Sequence, residues 1–186
     1  LIWRRTHYTR LLAQVHAVSP LTFIDGPGRE QLRLSPQTMT TNSNADLSRA
    51  LRFTETVARV TAYGAAFFRD DQPFMSIGEQ HSGNVGVTVA EIDLRFLEDF
   101  LGDSQVGRLA SAYVVDPRGR VLATSSKGPD IGKDVSKLPQ VASLLAANSH
   151  ALPSGKDSDG NDVITTSSAL PKLGWFVIFE QPKAQA

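Results

Sequence analysis

Two stretches of this chain, about ninety residues apart, carry the same pattern. Phe23-Ile24-Asp25-Gly26-Pro27-Gly28-Arg29 returns as Val114-Val115-Asp116-Pro117-Arg118-Gly119-Arg120, with Asp116 lying 91 residues beyond Asp25 and Gly119 lying 91 beyond Gly28. Two further landmarks follow in the same order. Asp70-Asp71-Gln72-Pro73 is answered by Asp159-Gly160-Asn161-Asp162, and Val85 to Glu91 by Leu173 to Glu180. Three matched landmarks predict two copies of one small module rather than a single large core. The 186 residues then divide into units of about ninety, each able to bury only a modest core.

Composition narrows what those modules can do. Hydrophobic residues make up 41% and charged residues 20%, which is globular and neither disordered nor fibrous. Nineteen basic and nineteen acidic residues cancel, and no run of five like charges exists to track a phosphate backbone, so nucleic acid is not an expected partner. The absence of cysteine excludes disulfides, thiolate metal sites and a cysteine nucleophile. The apolar run around Trp175 to Phe179 is far shorter than the roughly twenty residues a membrane helix needs. A start at Leu1 rather than Met reads as a processed product, an excised piece or the ordered part of something longer.

Along the chain, Leu1, Tyr8, Leu12 and Val15 fall at helical spacing and predict an amino-terminal helix over residues 1–16. Leu21–Ile24 with Gln31–Leu34, and Ala112–Val115 with Arg120–Thr124, read as hairpins. In each, Asp opens the turn, Pro presets φ and Gly closes it, so Asp25 and Asp116 are scaffold rather than catalytic residues. Ser35 to Asn44 reads as polar loop, and Asp46 or Ser48 as the cap of a helix through Leu47, Leu51, Thr54 and Ala58. A second helix is expected through Val141, Leu144 and Leu145, ending near Asn148. Closing strands are expected at Tyr63–Phe68, Phe74–Gly78, Val85–Leu94, Val163–Ser168 and Trp175–Phe179. A hairpin, a helical insert and a closing meander make an α+β fold, with helices packed on an antiparallel sheet in each module. Phe96 to Leu101 reads as a short helix and 102–107 as a linker, giving modules at 17–101 and 102–186.

With these landmarks the chain resembles the double Cache family, extracytoplasmic sensor regions of bacterial histidine kinases, chemoreceptors and nucleotide cyclases. The resemblance rests on Phe67 to Met75, Gly86 to Leu94, Val106 to Arg120 and Leu173 to Pro182. It implies two tandem PAS-like modules behind a long helix that pairs two copies of the chain, with membrane helices beyond both ends and a small molecule bound in the first, membrane-distal module. A periplasmic placement at the inner membrane follows from the same resemblance, most plainly for a sensor histidine kinase. The alternatives are a spacer that senses through a partner protein and a cytosolic PAS-like regulatory module. The amino-acid-binding pattern of the family uses an Arg, a Trp-Tyr pair and an Asp ending the last distal strand. Only Asp93 matches: Arg52-Phe53 stands where the aromatic pair would fall and Ala50 near the Arg position, so the resemblance does not extend to that mode of recognition.

Four residues of the first module are the candidates for ligand contact: Arg52, Tyr63, Phe67 and Asp93. Glu91 and Asp93, two apart on a strand, share one face and need a cationic partner, which a ligand ammonium or an internal Arg52 could supply. Tyr63, Ala65, Phe67 and Arg69 alternate onto one aromatic face, suited equally to a pocket or to a core. Asp157 to Asp162 imitates a calcium loop but has Asp162 where the Gly belongs and Ser168 where the Glu belongs, so a hairpin is expected instead. No phosphate loop, Gly-x-Ser-x-Gly elbow or His-Glu-x-x-His motif is present. Neither catalytic residues, metal ligands nor a cofactor are therefore expected.

Overall fold

The computed structural model describes residues 2–103, 110–147 and 154–183. The chain forms two compact units. One comprises residues 1–67 and 74–93, the other 68–73 and 94–186.

The first unit opens with α1 (Ile2–Gln14), which buries Tyr8 and Leu12, one turn apart. Val15 lies beyond the helix and is exposed. The sheet that follows contains β1 (Val18–Asp25), β2 (Glu30–Leu34), β3 (Met39–Thr41), β4 (Thr61–Tyr63), β5 (Phe67–Arg69), β6 (Gln72–Gln80) and β7 (Gly86–Asp93). Their order is β3-β2-β1-β7-β6-β4, with β5 also on β6. β1 is central and packs on both faces. Leu21 and Phe23 join Tyr8 and Leu12 beneath α1, while Ile24 joins Val87, Val89 and Phe53 beneath α2 (Leu51–Arg59). Each such buried side chain contributes about 1.5–3 kcal/mol, so the two helices are fastened to opposite faces chiefly by apolar burial.

The second unit contains α3 (Phe96–Asp103), β8 (Ser111–Val115), β9 (Val121–Thr124), α4 (Pro139–Ala147), β10 (Ser154–Lys156), β11 (Asp162–Leu170) and β12 (Trp175–Pro182). Its antiparallel sheet runs β10-β11-β12-β8-β9. The core joins Tyr113, Val115, Val121, Phe176 and Ile178 of the sheet to Val141 and Leu144 of α4.

The repeated motif builds the same turn in both units. Asp25 accepts the Arg29 amide at 2.7 Å through its carboxylate, and Asp116 accepts those of Arg118 and Arg120 at 2.8 and 2.9 Å. Each turn is then braced by a bracket that sequence reasoning misread. Asp46 does not cap α2, whose N-cap is Ala50 without a side-chain bond. Instead Asp46 accepts the Ser48 amide at 3.0 Å and hydroxyl at 2.6 Å, while the Leu47 amide bonds the Gly28 carbonyl at 2.8 Å. Asp134-Val135-Ser136 repeats this in the second unit: Asp134 accepts the Ser136 amide at 2.9 Å and the Val135 amide bonds the Gly119 carbonyl at 2.9 Å.

Other expectations are corrected. The strand expected over Tyr63–Phe68 breaks into β4 and β5, because after the Gly64 amide bonds the Ser76 carbonyl at 2.8 Å the chain leaves the ladder, and residues 64–66 are not strand. The polar stretch 35–44 contains β3, an edge strand exposed along its length. The Asp70-Asp71 turn has positive φ at both residues (49° and 60°), a two-residue hairpin, whereas the loop at Asp157 to Asn161 is a third copy of the Asp25 turn. Gly102 and Asp103 of the expected linker continue α3. The linker's remaining residues, 104–107, and the expected helix end at Asn148 lie outside the described residues.

Candidate functional site

The α2 face of the first sheet can be followed from its register. Gly78 pairs with Val89, Ser76 with Glu91 and Phe74 with Asp93, and on the outer side of β6 Ala62 pairs with Gly78. Directly paired residues share a face, so Ala62, Gly78, Ser76, Phe74, Val89, Glu91 and Asp93 all lie toward α2. The helix turns Phe53 and Thr56 inward, and it comes close because β6 offers glycine: a Cβ at Gly78 would overlap Thr56. Thr56 donates its hydroxyl to the Arg52 carbonyl at 2.5 Å. Arg52 and Glu55, on the neighbouring flank of α2, look across small side chains of β4 and β6.

Between them lies a cleft of about 420 Å³, within the range of small-molecule sites, lined by Arg52, Glu55 and Thr56 of the helix and by Gly64, Ser76 and Gly78 of the sheet side. At its edge the Arg52 guanidinium stands 3.5 Å from the Glu91 carboxylate. Glu91 is nearly enclosed, so this ion pair supplies the counter-charge that a buried carboxylate requires. Of the two carboxylates expected to share a cation, Arg52 takes Glu91.

Three of the four expected residues come to this face. Asp93 ends β7 opposite Phe74, whose ring stacks on that of Phe67 at a centroid distance of 5.9 Å. Tyr63 goes elsewhere. It pairs with Ile77, which pairs with Ala90, and so lies on the α1 face, 40% exposed. Glu55, Thr56 and Ser76 were missed. Glu55 and Thr56 carry only the signal of lying three and four residues beyond Arg52 on a helix.

The opposite face has its own polar chain. The Thr88 hydroxyl meets both Tyr8 of α1 and, at 2.6 Å, Nε2 of His81. Burial, and then the charge of Arg4, hold His81 below its ordinary pKa, while burial pushes the Tyr8 hydroxyl up. Among the described residues no three His, Cys, Asp or Glu side chains gather as a metal site, and no helix is long and apolar enough to cross a membrane.

No family model matches the chain, and no curated protein matches it in sequence. Solved structures do match in fold. The extracellular domain of mmHK1S-Z2, named for a histidine kinase, superposes with a TM-score of 0.74 at 12% identity over 97% of this chain and 81% of its own. The sensor domain of the V. cholerae histidine kinase DctB gives 0.61 at 14% identity, over 96% and 77%. The ligand-binding domain of Mlp24, solved with asparagine, gives 0.59 at 11% identity, over 90% and 69%. The α+β architecture of two antiparallel sheets behind a leading helix is thus the Cache, PAS-like fold of these sensor domains.

Proposed function

We propose that the chain is the extracytoplasmic ligand-sensing region of a bacterial transmembrane receptor, of the sensor histidine kinase type, with no catalysis of its own. The first unit binds a small polar metabolite in the cleft beside α2, and occupancy is passed through the second unit toward the membrane. The observation that carries this reading is the cleft itself: about 420 Å³, open between the flank of a helix and the small residues of a sheet, with the Arg52–Glu91 pair at its edge. Its volume suits a molecule the size of an amino acid, and the Mlp24 domain of similar fold was solved with asparagine.

Arg52 recognises an anionic group by exchanging part of its pairing with Glu91, and Glu55, three residues on along the helix and also lining the cleft, receives a positive or hydrogen-donating group. Such a site signals only if ligand favours one of two packings of α2 against the sheet. A thermal-shift screen of carboxylates, amines and amino-acid-sized metabolites tests the reading. A stabiliser whose effect is lost in Arg52→Ala supports it, and a broad library without any stabiliser refutes it. Exposed Ile2, Trp3 and Leu11 on α1 support the further reading that two copies pair through this helix.

A further inference from the structure

The second unit keeps the first unit's carboxylate and drops its cation. Glu180 on β12 answers Glu91 on β7. Gln140 of α4 stands six residues after the bracket residue Asp134, as Arg52 stands six after Asp46. Where Glu91 meets a guanidinium, Glu180 meets an amide and a phenol. Gln140 donates through Nε2 to Glu180 Oε1 at 2.7 Å and to the Lys156 carbonyl at 2.8 Å, and the Tyr113 hydroxyl donates to the same Glu180 oxygen at 2.5 Å. Glu180 is 2% exposed, and Tyr113 and Gln140 are fully buried.

Tyr113 offers the cluster one hydrogen and the Gln140 amide two, and all three are spent on Glu180 Oε1 and the Lys156 carbonyl. Gln140 Oε1 and, on the strand beside Glu180, the Ser111 hydroxyl are buried without a partner. A proton on Glu180 removes a buried charge that no cation among the described residues compensates. Apart from Tyr113, β8 and α4 bring no ionisable side chain to it, Ser111 and Thr165 being its neighbours across the sheet. From β11 comes Asp162, occupied with the Lys156 ammonium at 3.2 Å, which also reaches the Gly160 carbonyl. Beyond β10 lies Asp157, whose carboxylate is held by the Asn161 and Asp159 amides and whose charge opposes ionisation of Glu180. Burial first, and Asp157 in addition, raise the Glu180 carboxyl above its usual range, against the two hydrogen bonds that lower it.

We propose that Glu180 is a proton-binding site of the second unit, whose deprotonation loosens α4 and β10 from the last strand. Burial raises the Glu180 pKa, so the carboxyl is the weaker acid in the folded unit. The folded unit holds this proton more tightly than the unfolded chain, so the stability it contributes is complete below the ordinary value near 4.5 and is lost as pH rises through the folded value.

Infrared spectra of the full chain, taken at rising pH from the ordinary carboxyl value of 4.5 upward, should contain a protonated-carboxyl band that fades with rising pH and is missing in Glu180→Gln. The melting temperature of the unit should fall over the same interval relative to Glu180→Gln, by about 5–11 °C for each unit by which the folded value exceeds the unfolded one. Gln140→Arg, which restores the first unit's pairing, should abolish both signals. Absence of the band at the acid end, or parallel melting profiles in wild type and Glu180→Gln, overturns the proposal. Should Glu180→Gln fail to fold, the wild-type band and its response to Gln140→Arg decide it.

Discussion

Gly119 and Gly160 occupy the same place in two copies of one turn and differ in a single respect, which makes their replacement by alanine a measurement of the bracket. Both have positive φ, 79° and 89°, and both donate their amide to the carbonyl of the turn's leading Asp, at 2.9 and 3.1 Å. A side chain in that conformation costs about 1 kcal/mol at either position. At Gly160 nothing stands within 4 Å of the added Cβ, so the cost ends there. At Gly119 the Cβ would lie 2.7 Å from Ser136 Cβ, 2.8 Å from its Cα and 3.0 Å from its amide nitrogen, most of it backbone that cannot swing aside. Overpacking of this kind adds about 1–3 kcal/mol, so Gly119→Ala should lose about 2–4 kcal/mol against about 1 for Gly160→Ala. Urea denaturation followed by Trp175 fluorescence reads both, since all these residues belong to the second unit and share its transition. Equal losses at the two sites would refute the claim that the Asp134–Ser136 bracket is pressed against the turn.

Replacing Arg52 by Ala removes a cation from the nearly enclosed Glu91 carboxylate and should cost about 2–3 kcal/mol, less than a fully buried pair because Arg52 is partly exposed; the Arg52→Ala, Glu91→Ala double variant should recover part of that loss in urea denaturation followed by circular dichroism. His81, held low by burial and by Arg4, stabilises the first unit above the ordinary histidine value of 6.5 and loses that contribution as pH falls through its folded value; an NMR titration should place its midpoint below 6.5, and a midpoint above it contradicts the packing described. Calcium should leave the melting temperature unchanged, because both Asp157 carboxylate oxygens already serve the hairpin. If α1 pairs two copies, Trp3→Glu with Leu11→Glu should halve the solution mass while leaving the buried Tyr8 and Leu12 in place; a monomeric wild type would dismiss that pairing.

The hairpins at Asp25 and Asp116 were legible because their chemistry is local: one carboxylate, one proline and one glycine decide the turn. Asp46 and Ser48 were not, since an Asp beside a Ser speaks equally for a helix cap and for a turn. Only the tertiary bond from Leu47 to Gly28 separates the two. The edge strand β3 escaped because exposed threonines show no apolar alternation. Tyr63 was placed on the wrong face by the assumption of one unbroken strand from 63 to 68; once the chain breaks at Gly64, period-two reasoning no longer connects Tyr63 to Phe67. Arg52 and Glu91 were legible as charges that must meet, whereas Glu55 and Thr56 acquire meaning only from the helix that lifts them over Gly78.

The two copies therefore serve as controls for one another. What they share, the Asp turn, its bracket and the carboxyl on the closing strand, is scaffold, because it recurs with different chemistry around it. What differs is the residue that α2 or α4 presents to that carboxyl. An arginine there neutralises it, keeps the helix charged at its edge and goes with an open cleft of about 420 Å³. A glutamine there cannot neutralise it, so the carboxyl is driven to bind Tyr113 and a proton, and Gln140 reaches on to the Lys156 carbonyl and fills the space beside Gly155, where a Cβ would overlap it. One difference at one helical position thus goes with an open cleft in the first unit and a closed, buried cluster in the second. The asymmetry is electrostatic before it is steric, because a buried carboxylate must find either a cation or a hydrogen.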